Sequence, residues 1–72
     1  MKKRYFDMEP SEQQLYRRML WRQLQSKFSD DIVHDRYEGH FADWVEEKME
    51  QMEQHEMYEE LQAIIDYFEN DN

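Results

Sequence analysis

The sequence predicts a small all-α domain, and three observations carry that prediction. One Gly, one Pro and no Thr in 72 residues leave little material for strands and tight turns. Glu, Gln, Lys, Arg, Leu and Met, all good helix formers, dominate the composition. Apolar residues recur at helical spacing from Leu15 onward. Three helices are expected, four if the last is broken, behind a basic N-terminal arm.

Residues 1–10 form that arm, with Lys2, Lys3, Arg4 and Tyr5, and it ends at Pro10, which disfavours helix at Glu9. Ser11 followed by Gln14 reads as a capping box, so a first helix is expected over 12–28. Leu15, Tyr16, Met19, Leu20, Leu24 and Phe28 make its apolar arc, with Gln14, Arg18, Arg22 and Gln25 opposite. Ser29, Asp30 and Asp31 read as an N-cap with acids in the first turn, predicting a short helix over 30–38 that Gly39 stops.

No Gly or Pro follows Gly39, which favours one continuous helix over 41–69. Its apolar phase changes on the way. At about 100° per residue from Phe41, the group Phe41, Trp44, Val45, Met49 and Met52 centres near about 20°, and Met57, Leu61, Ile64, Ile65 and Phe68 near about 190°. Either the helix breaks near 53–56 and folds back, or it stays straight and its second half packs on another surface.

A single domain of this length buries only about 60% of the surface its unfolded chain exposes. Cysteine is absent, so disulfides and thiolate metal sites are excluded, and self-association or a partner is the remaining supplement to the core. An aromatic share of 15% marks a folded chain and not a solvated acidic tail. No apolar stretch follows the charged start and none is long enough to span a membrane, so a cytoplasmic location is expected, in the chain's own cell or in one its genome enters.

Catalytic equipment is missing. The only hydroxyl nucleophiles besides tyrosines are Ser11, Ser26 and Ser29, and one glycine cannot build a phosphate-binding loop. His34, His40 and His55 match no standard metal spacing and are expected as surface or turn residues. A non-enzyme with no cofactor, no metal and no catalytic residue is expected. The methionines are expected mostly as core filler, with Met57 belonging to the second stripe.

Charge is the positive signal. Residues 1–28 carry +4, residues 29–45 carry −4 and residues 46–72 carry −9, with Lys48 the sole base in the last segment. Glu47, Glu50, Glu53, Glu56 and Glu59 stand at every third position, joined by Glu46 and Glu60, and like charges at helical spacing repel. On one continuous helix this ladder wraps around the rod, about 60° per step. A net charge of −9 argues against nucleic acid and anionic membranes as direct partners and for a basic protein. Carboxylates a few ångströms apart along a rod approximate the phosphates of a nucleic acid strand, so the expected partner is itself of the nucleic-acid-binding kind. Met57, Tyr58, Leu61, Ile65 and Phe68 are expected beside the ladder, supplying affinity where Glu46 to Glu60, with Asp66 and Glu69, supply steering.

No motif identifies a family. By size, composition and lack of catalytic equipment the chain resembles the small acidic inhibitors and modulators that bacteriophages and mobile elements encode, some of which mimic DNA. The rival expectation is a homo-oligomeric structural or regulatory protein, whose second apolar stripe is a dimer seam and whose basic first helix neutralises the acidic helix of the other copy, or an antitoxin-like protein whose stripe is the toxin interface.

Overall fold

The computed structural model describes residues 4–71, and its architecture is the all-α one expected. The helices are α1 (Pro10–Val33), α2 (Phe41–Gln54) and α3 (Tyr58–Asp66), with no strand among the described residues. A 3₁₀ turn at Tyr5–Asp7 precedes α1, and a π-helical turn at Tyr67–Asp71 continues α3. Lys2 and Lys3 of the basic arm lie outside the described residues.

Helix α1 starts two residues earlier than expected, at Pro10, whose fixed φ suits a first helical position and whose missing N–H is no loss there. Ser11 therefore sits inside the first turn, and the capping box with Gln14 does not form. The helix also runs straight through Ser29, Asp30 and Asp31, so the separate helix expected over 30–38 is absent. Those carboxylates do not cap a new helix because Arg36 and Trp44 bind them. Arg36 donates to Asp30 at 2.7 Å and to Asp31 at 3.0 Å, and the Trp44 indole N–H donates to Asp31 at 3.0 Å.

Both α1 and α2 end with a histidine, His34 or His55, followed by an acid in the left-handed region, Asp35 at φ 56° or Glu56 at φ 58°. The Asp35 and Arg36 N–H groups reach back to the carbonyls of Ile32 (3.2 Å) and Asp31 (2.8 Å). Glu56 and Met57 do the same to Glu53 (3.2 Å) and Met52 (2.7 Å). This left-handed cap satisfies carbonyls that a helix end otherwise orphans and is usually built on glycine. Gly39, expected as a helix stop, serves elsewhere. It lies in the loop before α2 at φ 149°, where a Cβ would meet the Tyr37 ring at 3.1–3.3 Å.

The second cap overturns the continuous C-terminal helix. Holding a glutamate in the left-handed region costs about 1–2 kcal/mol, whereas burying one Ile side chain is worth about 1.5–3 kcal/mol. A straight helix would leave the whole second stripe outside. Folding back at His55–Met57 buries Ile64 and Ala63 to 1% and 0% exposure and packs Leu61 against the core. Trp44, Val45 and Met52 of α2 and Leu24 of α1 complete that core, with Leu20, Trp21, Phe28, Phe41 and Met49 around it.

The apolar arc expected on α1 is rotated. Leu15 and Met19 are exposed, and Arg17 and Trp21 turn inward. Widening the last turn to π geometry brings Tyr67 flat onto Trp21 (4.3 Å, 15°) and Phe68 edge-on to it (5.2 Å, 85°). The same turn delivers Asp71 to Arg17 in a two-pronged pair at 2.8 and 3.1 Å. Tyr5 is buried against Tyr16, and its hydroxyl donates to Asp66 at 2.7 Å and accepts from Arg17 at 3.2 Å. The described part of the basic arm is thus folded onto α1 and α3, with Arg4 paired to Glu59 at 2.6 Å.

Candidate protein-binding surface

Helix α2 turns Trp44, Val45 and Met52 inward, which forces Asp43, Glu46, Glu47, Glu50 and Glu53 onto the opposite arc. All five are exposed, and among the described residues none has an ion-pair or hydrogen-bond partner. Asp43 to Glu53 covers about 15 Å of helix, one carboxylate every 3 to 4 Å. Their field is felt locally: burial first, then Glu47 and Asp43, push the Tyr37 phenol above its ordinary pKa. Lys48 does not neutralise them, since its ammonium lies 5.2 Å over the Trp44 ring on the helix's inner flank.

The fold separates the residues that the sequence grouped together. Glu46, Glu47, Glu50 and Glu53 form one face, and the expected wrapping of the ladder stops where α2 stops. Glu56 sits in the cap, Glu59 holds Arg4 and the Tyr5 N–H, and Glu60 faces α1. Asp66 holds Tyr5 and Gln62, and Glu69 is exposed on the π turn. Of the apolar set, Leu61 packs on the core, Ile65 is half-buried and Phe68 leans on Trp21. Met57 and Tyr58 remain exposed at the turn, and Phe68 stays exposed on its outer side. Asp43 was missed by the sequence grouping, although its spacing of three and four from Glu46 and Glu47 places it on their face.

A furrow runs between α1 and the α2–α3 turn, away from the acidic face. It comprises three adjoining hollows of about 370, 140 and 280 Å³, which share Tyr16, Leu20, Gln23, Met57 and Glu60 along its length. Burial first, then Glu60 and Glu59, raise the pKa of the Tyr16 phenol at one end of it.

The histidines all mark helix ends, His34 and His55 as C-caps and His40 before α2. Among the described residues no three His, Asp or Glu side chains converge as metal ligands, and no helix is long and apolar enough to cross a membrane. No protein-family model, curated protein or solved structure matches the chain.

Proposed function

We propose that this chain is a non-enzymatic binding protein that docks the outer face of α2 on a basic surface of a partner protein, blocking or redirecting it. The observation that carries the reading is the row Asp43, Glu46, Glu47, Glu50 and Glu53, exposed and without counter-charge among the described residues. One carboxylate per 3 to 4 Å of helix is close to the charge spacing of a single DNA strand, about 3.4 Å per phosphate. A surface built to hold phosphates would therefore accept it, which makes a nucleic-acid-binding protein the partner of choice. An inhibitor in the style of phage-encoded DNA mimics is the corresponding role.

Capture from cell extract on immobilised protein, at low and high salt, tests the reading. Specific partners held at low salt should weaken by about tenfold or more as the screening length shrinks from about 10 Å to about 3 Å. Glu47→Lys with Glu50→Lys should release them at low salt while leaving helicity unchanged. Retention by that variant, or affinity indifferent to salt, removes the electrostatic reading.

A further inference from the structure

Of the exposed large hydrophobic side chains among the described residues, Phe6, Met19, Met57 and Tyr58, at 40–58% exposure, border the furrow and not the acidic face. Contiguous apolar surface of this kind on a small domain marks an interaction site. Its charges are arranged in two ends. Glu56 lines the end near Tyr16, where Glu59 is already matched by Arg4, and Glu60 lines all three hollows from that end onward. Lys27 and Lys48 line the other end, about 16 Å along α1.

We propose that the furrow is the interface of a symmetric homodimer, in which Glu56 and Glu60 of each copy face Lys27 and Lys48 of the other. A two-fold interface must be self-complementary, one patch carrying both members of every pair. A furrow acidic at one end and basic at the other meets that requirement when the second copy is turned about an axis at the level of Leu20 and Gln23. A uniformly charged furrow would call for an unlike partner. Met19 and Met57, adaptable thioethers, lie near that axis, where the two copies would cover each other's apolar surface. The core of so short a chain gains the supplement it needs. The outer face of α2 points away from this contact, so the dimer stands or falls independently of the proposed docking on a basic partner.

A charge swap tests the pairing. Lys27→Glu with Lys48→Glu makes an all-acidic furrow, and Glu56→Lys with Glu60→Lys a basic one. In sedimentation at about 0.1 mM, a concentration that populates a dimer of micromolar Kd, the wild type should run as two 9.2 kDa chains. Each variant should run as one chain with wild-type helicity, and their equimolar mixture should recover the doubled mass. If either double variant loses helicity, Lys27→Glu and Glu60→Lys alone take their places, leaving Lys48 on Trp44 and Glu56 in its cap. Met57→Lys should remain a single chain even in high salt. A monomeric wild type, a variant that dimerises alone, or a mixture of folded variants that stays monomeric overturns the proposal.

Discussion

Asp31 shows how much one carboxylate can organise in a chain this short. One oxygen takes the Trp44 indole N–H and the other the Arg36 guanidinium, so it ties the end of α1 both to the loop and to the most buried ring of α2. The Trp44 bond first and Arg36 second hold its carboxyl below the usual carboxylate range, and Arg17 does the same for Asp71. A carboxyl whose folded pKa is depressed contributes stability above its unfolded value of about 3.9 and loses it as pH falls through the folded one. Asp31→Asn should therefore lower Tm at neutral pH and flatten the fall of Tm below about pH 4. Thermal melts followed by Trp fluorescence across that range check it; parallel acid limbs for the two proteins would show that the carboxylate does not carry this contact.

At the scale of elements, the two left-handed caps decide the topology. Because Glu56 adopts φ 58° against its own preference, Glu56→Gly should relieve strain and raise stability by about 1 kcal/mol, or about 4–8 °C in Tm for a domain of this size. Glu56→Val, β-branched in the same conformation, should lower it; a melting temperature unmoved by either change would mean the turn is not strained. The same position explains what could be read beforehand. The swing of the apolar stripe between Met52 and Met57 was legible, since it depends only on spacing, and it demanded either a break or a second surface. The break itself was hidden, because glutamate has no turn signature and the shared feature, a histidine followed by an acid, stands out only once both ends are seen. The reading of Ser29–Asp31 as a helix start failed for a related reason. A carboxylate near a helix end serves a cap or a side-chain donor beyond the helix equally well, and Arg36 and Trp44 took these two. The acidic face of α2 was legible to the extent that Trp44, Val45 and Met52 fixed its opposite side. Glu59 and Asp66 were misplaced on the surface because their partners, Arg4 and Tyr5, lie more than 50 residues away in the chain.

For the molecule as a whole, the open question is why a net charge of −9 is gathered so unevenly. On α2, five like-charged pairs stand three or four residues apart: Asp43 with Glu46 and with Glu47, Glu50 with Glu46, with Glu47 and with Glu53. At about 0.2–0.5 kcal/mol each they destabilise the helix by about 1–2.5 kcal/mol, against a total stability of about 4–11 kcal/mol for a chain of this length. A face without a role would gain by neutralisation and lose nothing. Glu47→Gln with Glu50→Gln should raise Tm by several degrees at low salt, the gain shrinking as salt screens the repulsion in the wild type. The same substitutions should weaken capture of a basic partner and leave the furrow, and any dimer formed through it, untouched. Melts and capture on one pair of proteins separate the cases: a stabilised variant that binds as before would mark the acidic row as mere solvated surface, whereas stability gained at the expense of binding marks it as the working face.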